Sequence, residues 1–390
     1  MLRLITLLLL SSMTVMAGAT ISPALPKITR FFQDQANVDF WVKLLLTMPA
    51  LFTAIGAPFS GVIIDRFGRK PLLIAAVILY GLAGGSGLVL SSLNGLLVGR
   101  ALLGLSVGAI MTTATALVAD YYQGQKRNQI MGIQAAFMSY GGVVFLTLGG
   151  VLADLSWRFP FLIYTSAFAI APLAFFCLTE PRSQPAPRIE PGEPADSKFP
   201  LATIAIIYAL TFITMLAFYM IPVQLPFYLQ SLGQTSGTLS GLAIAACTLA
   251  SAIVSMRYRA IKNSFSFQGI LVGVYALMGL GYLAISASKS YLFVVVSLMI
   301  AGAGLGLVMP NMNVWINAAT PPRFRGRALG GVTSAMFLGQ FCSPIFIQPI
   351  ASRIGLGATY GFVGVGLWSL MGLITIAAAH QRIALKINNP

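Results

Sequence analysis

The chain has 390 residues, of which 57% are apolar and only 8% charged, where a soluble domain carries about a quarter charged residues. That balance excludes a soluble globular fold, because so few charges cannot furnish a water-facing surface. The formal net charge of +15 needs no nucleic-acid partner, since Lys and Arg gather at one set of segment ends, where they fix orientation in a bilayer and touch anionic lipid heads.

A helix that crosses a bilayer needs about 20 mostly apolar residues. Cutting the chain at its charged or Pro/Gly-rich points predicts twelve, near 4–29, 43–64, 71–92, 94–119, 128–153, 157–179, 200–230, 238–260, 266–288, 290–318, 327–352 and 357–380. The expected fold class is therefore an all-α integral membrane protein. The first segment, Arg3 followed by Leu4 to Leu10 and then Ala17-Gly18-Ala19, has the layout of a secretory signal peptide. Its apolar character runs on to Ile21 before the Pro23/Pro26 exit, and its removal would leave an odd number of spans, so it is read as a retained helix.

With the N-terminus inside, seventeen of the 24 Lys and Arg residues fall in the cytoplasmic set of loops and ends. The other side holds Lys27, Arg30, Lys43, Arg158, Lys289 and Arg353, and Arg100 lies inside the fourth helix. Both termini are expected in the cytoplasm. Between Glu180 and Pro200 the run EPRSQPAPRIEPGEPADSKFP is too polar and Pro-rich to bury a face. It separates an N-terminal six-helix bundle, 1–180, from a C-terminal one, 200–390, through a linker, 181–199. A shift of 198 positions superposes Gly104 on Gly302, Gly108 on Gly306, Arg127 on Arg325, Gly132 on Gly330 and Gly141 on Gly339, so the halves read as repeats.

Residues 61–70, GVIIDRFGRK, form a short charged loop between two spans. The pattern Gly61, Asp65, Arg66, Gly68, Arg69, Lys70 resembles the signature loop between the second and third helices of the major facilitator superfamily, a family of secondary transporters. The resemblance implies two pseudo-symmetric six-helix bundles with a substrate site near the midplane between them. It implies that Asp65 lies by the N-terminus of helix 11 and locks the outward-facing state, and that Arg69 pairs with Asp120 at the end of helix 4. A carboxylate beside a helix N-terminus gains about 0.3–1 kcal/mol. The same charges also fit a topology signal alone.

In LLVGRALLGLSVGAI, Arg100 sits well inside an apolar helix, where an arginine costs at least about 2.5 kcal/mol. Its surroundings resemble the family pattern R-x-x-Q-G with Leu103 in place of the glutamine, so only Arg100 and Gly104 carry over. In proton-driven members this arginine takes part in proton transfer or substrate binding; snorkelling to the head groups is the other reading. Helix 5 keeps Gly132, Gly141, Gly149 and Gly150 of the antiporter pattern G-x8-G-x3-G-P-x2-G-G but has Phe145-Leu146 where Gly-Pro is expected. That partial match resembles the drug:proton antiporter branch, and glycines that simply allow close helix packing explain it too.

No Asp or Glu falls in the middle of a predicted helix. Asp39 precedes Asp65 by 26 residues, about 39 Å of helix, which puts it at the outer mouth, within reach of Lys43 or Arg100 as a proton switch or as a plain surface ion pair. In the family, helices 1, 4, 7 and 10 face the centre. This makes Thr20, Thr113, Tyr219, Gln224, Asn311, Asn313 and Trp315 candidate cavity residues, with Gln134 and Gln340 from helices 5 and 11. Each equally fits a bridge between two helices. Met16, Met111, Met215 and Met309 suit an adaptable apolar wall.

An enzyme finds no support, with His380 the sole histidine and Cys177, Cys247 and Cys342 far apart, without metal spacing. No phosphate loop appears, so no cofactor is expected and a proton gradient is the expected energy source. The reading is a monomeric multi-pass carrier of the bacterial inner (plasma) membrane that exports a small organic or amphipathic molecule by proton-coupled alternating access. Two alternatives stay open: a carrier of an anionic metabolite or siderophore using Arg100, and a non-transporting sensor on the same fold.

Overall fold

A computed structural model describes residues 2–181 and 200–388, with side chains except at 128 and 381–388. Apart from residue 181, the predicted linker lies outside the described residues. Among the described residues, twelve helices are long and apolar enough to cross a membrane. They are α1 (Leu2–Phe31), α2 (Val38–Phe67), α3 (Arg69–Leu88), α4 (Leu93–Tyr121), α5 (Gly124–Leu155), α6 (Phe159–Cys177), α7 (Leu201–Ser231), α8 (Gly237–Met256), α9 (Phe267–Ser286), α10 (Tyr291–Ala319), α11 (Pro322–Ile354) and α12 (Leu356–His380). Twelve crossings bring both chain ends to one face, called here the terminal face.

Local sequence sets the helix ends. Ser92, Ser236, Ser266 and Ser290 each accept a backbone N–H three residues on, capping α4, α8, α9 and α10. The turn between α2 and α3 is one residue long and depends on Gly68, whose φ of 90° an L side chain rarely adopts. The predicted eighth span, 238–260, breaks at Arg257, and Tyr258–Ser264 forms a separate short helix leading to α9.

Two spans are interrupted. α1 is regular to Ala19, then passes through a 3-10 turn at Ser22–Ala24 and resumes at Leu25–Phe31. Pro23 and Pro26 lack the N–H a continuous helix needs there, yet each sits at a first or second helical position, where none is required. α10 breaks at Gly306-Leu307.

Small residues let paired helices touch. A side chain on Gly104 or Gly108 of α4 would collide with the backbone of α2, and one on Gly302 or Gly306 of α10 with the backbone of α8. Gly141 meets Ser12 of α1, as Gly339 meets Phe212 and Met215 of α7. Three of the four glycine pairs superposed by the 198-residue shift, Gly104/Gly302, Gly108/Gly306 and Gly141/Gly339, thus occupy equivalent seams in the two halves, while Gly132 and Gly330 are alike in meeting no neighbour. Each half has its own apolar core, one running mainly from Leu7 to Leu178 and the other from Ile204 to Leu367. Tyr219 and Val223 cross into the first, and Leu146 into the second. Between the halves, α2 packs on α11 and α5 on α8.

Candidate functional site

Hydrogen bonds joining the halves gather toward the face opposite the chain ends. At the break in α1, Ser22 donates to the Pro222 carbonyl of α7, which Pro226 leaves without its usual i+4 donor. The Lys43 amine of α2 donates to Gln348 Oε1 of α11 and stands 4.6 Å from the Phe227 ring centroid of α7. The same Gln348 oxygen accepts from the Gln224 amide at 3.2 Å. Asp154, in the last turn of α5, accepts from Gly237 N at 2.6 Å, Thr238 N at 2.9 Å, Ser236 Oγ at 2.9 Å and Thr238 Oγ1 at 2.6 Å, all at the start of α8. The Lys27 amine adds bonds to the Ala153 and Asp154 carbonyls at 2.9 and 3.0 Å.

Toward the terminal face the helices part. On α5, a side chain at Gly150 would strike Gly237 of α8, whereas at Gly132, nearer the chain ends, it would meet nothing within 4 Å; Gly61, Gly326 and Gly330 are equally open.

Midway between these levels lies a cavity of about 300 Å³ walled by α1, α2, α4, α5, α7, α8 and α11. Its wall is mostly apolar, with Phe145, Phe218, Phe337, Met111, Met138 and Met336 prominent. Of the predicted cavity residues, Thr20, Tyr219 and Gln340 line it. Thr20 Oγ1 is turned back to the Met16 carbonyl at 2.6 Å, and the Tyr219 hydroxyl donates to Gly18 O at 3.4 Å across the divide.

The other candidates lie elsewhere. Thr113 is fully buried, and its hydroxyl has no hydrogen-bond partner among the described residues. Gln134 donates to Ser11 Oγ at 2.6 Å, a bridge between α5 and α1. Gln224 belongs to the seal at the opposite face. Asn311 donates to the Phe267 carbonyl at 3.1 Å and accepts from the Tyr258 hydroxyl at 3.4 Å, tying α10 to the start of α9. Burial pushes the Tyr258 hydroxyl above its ordinary pKa, so it remains a neutral donor. Asn313 is exposed, and Trp315 stacks on Phe267 at 5.8 Å. Among the methionines, Met111 reaches the cavity, while Met16 and Met215 are buried in the cores and Met309 packs against the second.

Arg100 does not snorkel. It is 1% exposed, its guanidinium lies 4.6 Å from the Phe161 ring centroid and 4.7 Å from that of Tyr164, both on α6, and Nη2 reaches the Gly84 carbonyl at 3.5 Å. Nη1 has no partner. Arg100 is not in the cavity wall. Asp39 is exposed in a shallow depression with Gln348 and Ser352. It forms no ion pair with Lys43 or Arg100 among the described residues, because the Lys43 amine is turned to Gln348 and Arg100 is enclosed by α6.

At the terminal face, Arg69 Nε is 3.3 Å from Asp120 Oδ2. A residue the sequence pattern does not single out completes this cluster: the Glu180 carboxylate, just past α6, accepts the backbone N–H groups of Arg69 and Lys70 at 2.7 Å each and so caps α3. A Cβ on Gly68 would stand 2.9 Å from that carboxylate. Lys70 lies over Phe175 and Arg66 over Phe67. Asp65 is exposed, and Arg325 at the start of α11 donates to the Thr320 carbonyl at 3.2 Å. Glu180 and Asp154 escape sequence reasoning because each acts on a helix start about a hundred residues away. The available signal was an acid at the very end of a span on the same face as the start of another helix, whose first N–H groups have no partner within their own helix.

Twelve crossing helices in two matched halves, around a cavity sealed toward one face and open toward the other, define a multi-pass membrane carrier. The sequence profile of the Major Facilitator Superfamily matches residues 7–344 and again 207–382, and the chain belongs to that family. It is therefore a transporter and not an enzyme, with a small-molecule cargo. Among curated relatives, the multi-drug resistance efflux pump PmrA of Streptococcus pneumoniae is 23% identical over 88% of this chain and 89% of its own. The PmrA homolog of Lactococcus lactis is 26% identical over 92% and 90%. Among solved structures, the inward open xylose transporter XylE of Escherichia coli has a TM-score of 0.77 at 14% identity, covering 95% of this chain and 94% of that one.

Proposed function

We propose that the protein exports a small organic or amphipathic molecule by rocking its halves about the central cavity, with a proton gradient as the energy source and no cofactor. The observation that carries this is the cavity itself, closed at one end by Ser22, Lys43 and Asp154 and open at the other. Likeness along nearly the whole chain to proteins named as efflux pumps supports the export direction. The Lys/Arg bias supports cytoplasmic termini in a bacterial plasma membrane, so the conformation described opens inward. The carrier acts as a monomer, each chain holding a complete cavity.

In this reading the Arg69–Asp120–Glu180 cluster holds the start of α3 rigid while Asp65 engages the N-terminus of α11 only when the inner side closes. Its exposure fits an inward-open state. Arg100, walled in by α6, holds α3, α4 and α6 in register, and any part in proton movement passes through that packing. The anion-carrier alternative loses its contact residue, since Arg100 does not reach the cavity. Gly61, Gly68 and the charge cluster favour a moving carrier over a static sensor.

Proteoliposomes loaded with a candidate cargo and given a pH gradient or a membrane potential separately test the proposal. Accumulation that follows the pH gradient is the expected result. Movement that follows only the cargo's own gradient would remove proton coupling, and no movement for any cargo would remove transport.

A further inference from the structure

We infer that the central cavity selects an uncharged, ring-bearing molecule that offers a hydrogen-bonding oxygen to Gln340, and that it discriminates against organic cations and anions alike. This rests on the transport reading above and goes further by fixing the charge of the cargo.

Among the described residues no Asp, Glu, Lys, Arg or His lines the cavity. An ion entering it would shed water and meet no counter-charge, a loss far larger than for a neutral dipole. The approach acts the same way on cations. Lys126 and Arg127 sit at the start of α5 and Arg325 and Arg327 at the start of α11, and with Arg66, Arg69 and Lys70 they outnumber the Asp65, Asp120 and Glu180 carboxylates of that face, so the field at the mouth is positive. An anion would be drawn to that mouth but would find no partner inside.

Most polar groups of the wall are already committed. The hydroxyls of Thr20, Thr53 and Thr248 return to carbonyls of their own helices, and Tyr219 is held by Gly18 O. Gln340 is different: its side chain lines the cavity and makes no hydrogen bond with any described residue. An amide so placed presents one acceptor and two donors, which suits a carbonyl, oxide or hydroxyl on a neutral cargo. Phe145, Phe218, Phe337 and Tyr219 supply ring faces and edges for the rest. Aromatic rings also attract cations, but Phe218 and Tyr219 are turned edge-to-face on each other at 5.7 Å and do not form a cage.

The test uses the full chain in nanodiscs and three probes of matched shape: triphenylphosphine oxide, methyltriphenylphosphonium and triphenylacetate. Equilibrium binding of the radiolabelled oxide, with the two ions as competitors, is expected to show the oxide bound at least about tenfold more tightly than either. Gln340→Leu is expected to weaken the oxide severalfold while leaving the protein folded and monodisperse, and Gln340→Glu to raise the affinity for methyltriphenylphosphonium. Either ion binding as tightly as the oxide, no binding of the oxide, or oxide binding indifferent to Gln340→Leu would overturn the inference. A protein that binds the oxide by these rules but moves nothing under any gradient would sink the transport reading and leave the cavity's charge preference standing; gradient-driven movement of the phosphonium would do the reverse.

Discussion

Asp154 Oδ1 accepts the Gly237 amide proton at 2.6 Å, binding the last turn of α5 to the first turn of α8 across the two halves. The carboxylate meets four donors at a helix start, where unsatisfied N–H groups and the macrodipole both favour an anion. Such a contact exists only while this face is shut. Asp154→Ala should therefore weaken closure by about 1–2 kcal/mol, a shift of roughly 5- to 30-fold in the balance of states. Asp154→Asn, which keeps an acceptor but loses the charge, should fall between. Cysteine labelling at the closed face would rise in that order, and labelling unchanged in Asp154→Ala would remove the latch.

Asp65 has the same chemical form at the other face: an acid ending α2, with the start of α11 as its expected partner. In the state described it is exposed, so its loss should not disturb this state and should destabilise the alternate one. Asp65→Asn is expected to cut transport while leaving expression nearly intact, and to increase labelling of the terminal-face cavity. Normal transport with unchanged labelling would rule the gate out. Combining it with Asp154→Ala should restore part of the balance, because the two changes push in opposite directions.

For Arg100 the surroundings fix the expected order of variants. The guanidinium is held between two rings, and a desolvated cation over an aromatic face is worth about 2 kcal/mol or more. Arg100→Ala removes that and leaves a void, so the thermal midpoint and transport should fall together. Arg100→Lys keeps the charge but not the planar fork, and should regain part of the stability. Stability restored by Lys with transport still absent would give Arg100 a role beyond packing.

Spans and seams were legible in the sequence, whereas inward-facing chemistry was only partly so, and the reason is geometric. A stretch of twenty apolar residues has one reading, and Gly104, Gly108, Gly302 and Gly306 mark close approaches wherever the helices point. Whether a polar residue reaches the cavity depends on rotation about the helix axis, with successive residues about 100° apart. Thr20, Tyr219 and Gln340 reach it, while Gln134 turns to Ser11 and Asn311 to Phe267. The pairing of Lys43 with Gln348 joins residues 305 positions apart, and no local pattern announces it.

That pairing gives a prediction whose two arms have opposite signs. Lys43 is 4% exposed, and its amine has one amide oxygen and one ring in contact, with the Asp39 carboxylate acting on it only at longer range, in place of water. Burying a polar group with incomplete partners is costly, so the closed face holds a group that gains by rehydration when it opens. Lys43→Met fills similar space without that penalty and should favour the closed state, lowering labelling at this face and slowing turnover. Gln348→Leu leaves the amine buried without its acceptor, a loss of about 1–3 kcal/mol, and should open the face. Asp39→Asn, altering a carboxylate exposed just outside the seal, should change neither labelling nor pH-driven movement appreciably. If Lys43→Met and Gln348→Leu shifted labelling the same way, the amine would be only a spacer between α2 and α11; if Asp39→Asn abolished pH-driven movement, the proton switch would lie at the outer mouth.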